Sequence, residues 1–229
     1  MTWVESIRAR QPGRSLGRIA WWHLLHALCY AWFAPLYQYR AWGIHHVPRT
    51  GPVLLVSNHQ SFLDPIAVGL GAHHRQFYAM ARTTLWDTRW LGWLIGSLNA
   101  VPVDQGGSDV RAMRQCLGVL NQNHALLVFP EGARTMDGRT HPFQTGTMLL
   151  IKRARPIVVP VAIEGAYGIW RRGMRLPKLT GRVGVMYGSP IEPDELLSRT
   201  PREALDLLQA RIEAMRKTIG RRMRGPGGV

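Results

Sequence analysis

Short runs of apolar residues alternate along the chain with stretches in which apolar positions recur at helical spacing. From residue 42 onward the short runs predict strands over residues 53–56, 76–81, 100–103, 125–129, 157–163 and 182–187. Between them, helical spacing predicts helices over residues 90–98, 109–121 and 143–154. This alternation predicts an α/β fold with a central, mostly parallel or mixed sheet and helices on both of its faces.

Two local signals refine this prediction. Thr200 and Glu203 have the spacing of a capping box, and Pro201 falls at the first helical position, so a last helix is predicted to begin there. Its apolar face is expected to pack on the domain and consists of Leu205, Leu208, Ile212, Met215 and Ile219. In the run 157–163, Pro160 has no N–H for a sheet ladder, which predicts an edge or a bulge position.

The N-terminal region contains an uncharged segment, residues 19–37, between Arg18 and Arg40. At about 1.5 Å per residue it could just cross the ~30 Å apolar core of a bilayer. A helical projection places His23, His26 and Tyr30 on one face and Trp22, Leu25, Cys29 and Trp32 on the opposite one. One wet face, one Trp/Leu face and flanking arginines favour a helix in the membrane interface. A membrane span and an ordinary core helix are the alternatives.

This segment sets the predicted organisation of the chain. Residues 1–41 are predicted to be an N-terminal membrane-associating helical segment, and residues 42–229 a single domain. A chain of 229 residues with 46% hydrophobic content can bury one substantial core.

Charge indicates the kind of partner. The formal net charge is +15, which favours a polyanion, either nucleic acid or an anionic lipid surface. The nine tryptophans and the scattered basic residues favour the lipid surface and not nucleic acid. We therefore expect a membrane-associated protein on the cytoplasmic face of the cell membrane. The two cysteines, Cys29 and Cys116, lie far apart in apolar company, which indicates a reducing compartment.

The first candidate for chemistry is the stretch NHQSFLDP, which follows the strand predicted at 53–56. His59 and Asp64 cannot share a helical face at this spacing, so they can meet only across a turn. Asp64 followed by Pro65 is typical of a helix N-cap and the first helical residue, so a short helix is predicted to begin there. The carboxylate could then orient the imidazole, leaving its second nitrogen to take a proton from a hydroxyl. A cap and a turn residue without chemistry are the alternative.

The second candidate is FPEGART, at the end of the strand predicted at 125–129. Ligands of α/β sheets bind at strand ends. Here Gly132 exposes backbone amides beside Glu131, and the planar fork of Arg134 suits a phosphate or a carboxylate. A simple turn with a solvated arginine is the alternative.

These elements, in this order, resemble the glycerolipid acyltransferase family, the group that contains the lysophosphatidic acid acyltransferases. The resemblance runs from about residue 42 to residue 190. NHQSFLD is similar to the family's His-x4-Asp block, FPEGART to its third block and VVPV to its fourth. WGIHHVPRTGP and PFQTG are similar to the lead-in and to a later block. The first and third blocks lie about seventy residues apart, and this pair is specific.

The resemblance implies an O-acyltransferase. His59 would be the general base and Asp64 its orienting partner, while Glu131, Gly132 and Arg134 would lie at the acceptor. The acyl donor would be a thioester, either acyl-CoA or acyl carrier protein, and no cofactor or metal is implied. The acceptor would be the hydroxyl of a lysolipid, first of all 1-acyl-sn-glycerol-3-phosphate, giving phosphatidic acid in phospholipid biosynthesis.

Two positions depart from the family's pattern. Gln105 and Gln144 stand where the family usually has cations that hold the acceptor's phosphate. An acceptor with another head group, such as an amino-acid lysolipid or a lysophosphodiester, is therefore the alternative.

Two other classes of protein compete with this interpretation. A membrane-binding protein without catalysis would explain the charge and the tryptophans, but not the placement of His59 and Asp64. A lipid hydrolase would use similar substrates, but the sequence has no Gly-x-Ser-x-Gly elbow.

Overall fold

The protein is built on one sheet with helices on both faces. The computed structural model describes residues 11–103 and 110–224. The strands are β1 (Arg40–Trp42), β2 (Val53–Ser57), β3 (Phe77–Arg82), β4 (Ala100–Val103), β5 (Ala125–Val128), β6 (Ile157–Glu164) and β7 (Gly184–Tyr187). The helices are α1 (Leu16–Leu36), α2 (Asp64–Gly71), α3 (Arg89–Ser97), α4 (Val110–Asn121), α5 (Gly146–Ala154), α6 (Ala166–Trp170), α7 (Pro193–Leu197) and α8 (Pro201–Arg224). Short 3-10 helices lie at Ile44–His46 and Thr83–Trp86.

The strands are ordered β1-β7-β6-β2-β5-β3-β4. Every pair is parallel except β6 with β7, which is antiparallel. The predicted mostly parallel, mixed sheet is thus confirmed. Because β2, β3, β5 and β6 run in the same direction, their carboxyl ends meet at one edge of the sheet, and this edge carries the candidate site.

All six predicted strands are present, with ends that differ by at most a few residues from those predicted. The first strand, β1, was not predicted because it is only three residues long and pairs with β7 alone. The predicted capping box is also confirmed: the backbone N–H of Thr200 donates to Glu203 Oε2 over 2.9 Å, at the start of α8.

Alternating residues of β2 show how the core is divided. Val53 and Leu55 pack on one side of the sheet with side chains of α1, α2 and α6. Leu54 and Val56 pack on the other side with α4, α5 and α8. All four side chains are fully buried, as expected for a strand covered on both faces.

The edge position predicted from Pro160 is wrong, because β6 lies between β7 and β2. On the β7 side, β6 pairs with β7 only from Val161 onward, and Val158 pairs instead with Ile191. Pro160 lies between these two contacts and accepts a hydrogen bond from the N–H of Gly188 on its carbonyl. The proline is tolerated where the ladder changes partner.

The N-terminal helix α1 lies against the domain through Ile19, Trp22 and Phe33, which are buried. The predicted division of its faces is wrong. Trp22 and His26 are one helical turn apart and stack on each other at 5.5 Å, on the side that faces the domain. His26 Nε2 also lies 3.1 Å from the carbonyl oxygen of Leu70 in α2.

The outer side of α1 is apolar and exposed. Its apolar stripe consists of Leu16, Ala20, Leu24, Ala27, Leu28, Ala31 and Pro35, and the exposed His23 and Tyr30 lie beside this stripe. Of the helices described in residues 11–103 and 110–224, none is both long and apolar enough to cross a membrane. The helix is followed by β1, which begins at Arg40 and already belongs to the sheet.

Candidate active site

The turn after β2 carries His59 and is anchored at both ends. At its start, the side chain of Asn58 donates to the carbonyl of Ile163 over 2.9 Å and accepts from the N–H of the same residue over 2.8 Å. Further along, Ser61 Oγ donates to the carbonyl of Trp170 over 2.8 Å. These bonds tie the turn to β6 and α6, so the position of His59 is set by the sheet.

His59 and Asp64 meet across this turn, as predicted. Nδ1 of His59 lies 2.8 Å from Oδ2 of Asp64. The same carboxylate oxygen accepts the backbone N–H groups of Gln60 over 2.5 Å and of Ser61 over 2.7 Å. Because Oδ2 already accepts these two N–H groups, it also accepts from the imidazole, which places the N–H on Nδ1 and leaves Nε2 as a proton acceptor. Asp64 is fully buried, whereas the His59 ring is 19% exposed.

The start of α2 differs from the prediction by one residue. Leu63 occupies the N-cap position, and Asp64 is the first helical residue, followed by Pro65. The Asp64 carboxylate accepts the N–H groups of Gln60 and Ser61, which precede the helix, so it orders the turn and does not cap the helix.

Phe129 holds the plane of the His59 ring. The two rings stack with centroids 4.0 Å apart and planes inclined by 15°. Phe129 directly follows β5, so the neighbouring strand fixes the orientation of the imidazole.

Glu131 connects the turn of His59 to the segment after β5. Its Oε1 accepts the backbone N–H of His59 over 2.7 Å, and its Oε2 accepts the backbone N–H of His141 over 2.9 Å. The N–H of Thr135 donates to the carbonyl of His59 over 2.9 Å. Burial raises the pKa of Glu131, and the two N–H donors oppose that shift. Both oxygens of the carboxylate have partners inside the protein, and its contact with an acceptor stays a prediction.

Gly132 and Gln144 lie against each other beside Glu131. Gly132 has φ +74°, and a Cβ added to it would lie 2.2 Å from Nε2 of Gln144. Gln144 is exposed and donates from Nε2 to the carbonyl of Glu131 over 3.3 Å. The positive φ favours glycine at this turn, and a Cβ there would displace the exposed end of the Gln144 side chain. Gln105, the other predicted substrate contact, lies outside the described residues.

Arg134 stacks on an exposed aromatic ring at the rim of the site. Its guanidinium carbon lies 3.4 Å from the centroid of the Phe62 ring. Its buried Nη1 has no hydrogen-bond partner among the described residues. The pKa of Arg134 is lowered by burial and by the charges of Arg82 and Arg172, and raised by the charge of Asp64. Arg134 therefore lies near Asp64 and has an N–H group available to bind a ligand.

Arg82 and Arg172 were missed from the sequence. Arg82 ends β3, so the rule that strand ends bind ligands could have pointed to it. Arg172 follows α6, and no sequence signal marks it. Among the described residues, neither arginine nor Arg134 forms an ion pair with a carboxylate. The three cations, here called the arginine cluster, give this edge of the sheet a positive potential.

Arg216 of α8 holds the loop that follows Glu131. Its guanidinium donates to the carbonyl of Gly138 over 2.9 Å and to Thr140 Oγ1 over 2.9 Å. It also pairs with Glu164 at 2.8 Å and with Glu213 at 2.7 Å. The side chain is only 10% exposed. It ties the loop 138–140 to the last helix.

His141 is the next residue in that loop, and its N–H is one of the two donors to Glu131. A continuous series of contacts therefore runs from Arg216 through the loop and Glu131 to the backbone of His59.

The arrangement has the parts of a base-catalysed transfer. It offers an oriented imidazole with a free nitrogen, a buried carboxylate behind it, and cations next to it that suit an anionic group. Within the ranges 11–103 and 110–224, no group of three or more His, Cys, Asp or Glu side chains is arranged to hold a metal ion.

Comparison with known proteins agrees with this chemistry. The family model Acyltransferase matches residues 39–164, more than half of the chain. The chloroplastic 1-acyl-sn-glycerol-3-phosphate acyltransferase of Arabidopsis thaliana is 29% identical over 161 residues, which cover 69% of this chain and 44% of that protein. The enzyme of the same name from Bacillus subtilis is 22% identical over 180 residues, covering 79% of this chain and 85% of that protein.

A solved structure shares the fold. The crystal structure of the 1-acyl-sn-glycerophosphate acyltransferase of Thermotoga maritima superimposes with a TM-score of 0.76 at 22% identity, over 95% of this chain and 88% of that chain. The chain spans about half the length of several curated relatives that it matches. The family match is independent of that difference in length, and the chain belongs to the Acyltransferase family.

Proposed function

We propose that the protein transfers a fatty acyl group from an acyl thioester to the hydroxyl of a lysolipid. The observation that carries this proposal is the 2.8 Å contact between His59 Nδ1 and the buried carboxylate of Asp64, which leaves Nε2 free. The donor is acyl-CoA or acyl carrier protein, and no cofactor takes part.

The steps follow from this geometry. Nε2 of His59 takes the proton of the acceptor hydroxyl while the hydroxyl oxygen attacks the carbonyl carbon of the thioester. The new C–O bond forms, the C–S bond breaks, and the imidazolium returns the proton to the leaving thiolate. Asp64 keeps the imidazole in the required tautomer and stabilises its positive charge in between. The products are an ester and a free thiol.

The first acceptor that we propose is 1-acyl-sn-glycerol-3-phosphate, which would give phosphatidic acid in phospholipid biosynthesis. A phosphate monoester carries a charge near −2 at neutral pH. Arg82, Arg134 and Arg172 of the arginine cluster supply cations that form no ion pair with a carboxylate in the part of the chain that the structure describes. Relatives of several organisms carry the name of this activity. Arg82 and Arg172 would offset the absence of a cation at Gln144.

A second acceptor class is an amino-acid lysolipid or a lysophosphodiester. The observation that favours it is the exposed, neutral Gln144 beside Gly132, since a neutral amide favours phosphate less than a cation does. Gln105, also neutral, would likewise weaken the preference for a phosphate head group.

The membrane is the proposed location of the reaction, on its cytoplasmic face. The support is the exposed apolar side of α1, where Leu24 is 52% and Leu28 is 56% exposed. We propose that residues 1–41 associate with the membrane and that residues 42–229 carry the transferase, with α1 lying in the interface. Alkaline carbonate should then release much of the protein from membranes, whereas full retention in the pellet would contradict this location.

The activity is tested with purified protein, one acyl donor and a panel of lysolipids, with product masses as the readout. An acylated lysolipid identifies both donor and acceptor. Release of free fatty acid without an acceptor would indicate a hydrolase instead. Absence of any product, with lipid binding intact, would indicate a membrane-binding protein without catalysis.

A further inference from the structure

The helix α3 presents two tryptophans to solvent. Trp90 is 68% exposed and Trp93 is 65% exposed. They are three residues apart on one helix, so they lie on the same side of it. Tryptophan is a highly buried residue on average, and such a pair on a surface marks a site of interaction.

This surface is continuous with α1. The indole N–H of Trp21 in α1 donates to Ser97 Oγ in α3 over 3.1 Å, and the rings of Trp21 and Trp93 lie 5.8 Å apart. Between the two helices is a cleft of about 260 Å³ lined by Gly17, Arg18, Trp21, Trp93 and Ser97. The exposed tryptophans therefore extend the apolar outer side of α1.

Charge indicates what covers this surface. Arg18 beside the cleft and Arg89 at the start of α3 are both exposed, and the chain as a whole carries a net charge of +15. Indole rings prefer the boundary between apolar chains and head groups, and arginines beside them attract lipid phosphates. An anionic bilayer satisfies both features at once.

We propose that Trp90 and Trp93 form a second membrane contact, which inserts into an anionic phospholipid bilayer beside the outer side of α1. The inference rests on the proposed function, in which the acceptor is a lipid. Only the short helix Thr83–Trp86 and the turn after it separate Arg82, in the arginine cluster, from α3. Contact through α3 therefore places the bilayer next to the site.

The test measures binding of the full chain to vesicles by flotation. The vesicles are phosphatidylcholine with phosphatidylglycerol, or phosphatidylcholine alone. Replacing both residues (Trp90→Ala with Trp93→Ala) should lower the partition coefficient on anionic vesicles by roughly tenfold or more, because two large apolar groups leave the interface. The wild type should bind phosphatidylcholine vesicles more weakly. The matched control, Val110→Ala with Leu149→Ala, removes exposed apolar groups from α4 and α5 on the opposite face and should bind as the wild type does.

Two further variants keep the test decisive. Trp90→Phe with Trp93→Phe should retain most of the binding, and the single variant Trp90→Ala should show a smaller loss if the double variant misfolds. Wild-type binding by a folded double alanine variant would overturn the inference, as would an equal loss in the control. Acyl transfer by the wild type is assayed separately. Its absence, together with binding that depends on the tryptophans, would overturn the proposed function and support this inference.

Discussion

The side chain of Glu131 accepts a hydrogen bond from the backbone N–H of His59 over 2.7 Å. The two residues are 72 positions apart in sequence, and this bond joins the ends of two neighbouring parallel strands. The side chain of His59 is held by Asp64 and its backbone by Glu131, so two carboxylates fix one imidazole from two directions.

Replacing Asp64 tests whether this carboxylate orients the imidazole of His59 for catalysis. Asp64→Asn should lower kcat by about 10²- to 10⁴-fold, because an amide no longer selects the tautomer with a free Nε2. The control Asp206→Asn removes a surface carboxylate of α8 and should leave kcat unchanged. A fully active Asp64→Asn protein would contradict the assigned role.

Glu131→Gln tests the link between the two strand ends. One of its two carboxylate oxygens is replaced by an NH₂ group, which faces a backbone N–H donor and leaves it unsatisfied. We expect a loss of about 1–3 kcal/mol in the free energy of unfolding, measured by urea denaturation, together with a lower kcat. Glu192→Gln, at an exposed position, should change neither. If Glu131→Gln instead raised KM for the acceptor at unchanged stability and kcat, Glu131 would be an acceptor contact.

Six of the seven described strands could be predicted from the sequence because each is built on an apolar run that the core requires, whereas the short β1 could not. The positions of His59 and Asp64 followed from the same logic, since a buried strand must end where its apolar run ends. The partners of Glu131 could not be predicted, because they are backbone N–H groups that only the folded chain brings near.

The side of α1 that faces the domain could not be predicted correctly either. Trp22 and His26 were assigned to opposite faces, although residues one turn apart share a side. Both a tryptophan and a histidine can pack against a domain. Only the packing of α1 on α2 determines which side of the helix faces inward. Arg172 was missed for a related reason: it lies in a loop whose path depends on β6 and α6.

Replacing Arg134 tests whether the arginine cluster binds the phosphate of the acceptor. Arg134→Ala should raise KM for lysophosphatidate at least tenfold, and much less for an uncharged monoacylglycerol, because a charge-assisted bond to phosphate is lost. Arg153→Ala, at an exposed position on the other face of the sheet, serves as the control. Equal effects on charged and uncharged acceptors would show that Arg134 does not bind the phosphate.

Arg216 is predicted to be a positioning residue. Arg216→Met should lower kcat several-fold more than it changes KM, because the loop that supplies the His141 N–H to Glu131 loses its anchor. Arg216→Lys should restore part of kcat. Arg211→Met breaks only an exposed ion pair with Glu195 and should be nearly neutral. Unchanged kcat in a folded Arg216→Met protein would show that the contact serves stability alone.

The role of His59 as general base is best tested by the rate of acyl transfer by purified His59→Ala protein in detergent micelles. We expect a loss of at least about 10²- to 10⁴-fold with the thermal stability of the wild type, because the proposed general base is removed. His141→Ala is the matched control, since the side chain of His141 is 49% exposed and only its backbone N–H contacts Glu131. Substantial transfer by His59→Ala would show that His59 does not remove the proton from the acceptor hydroxyl.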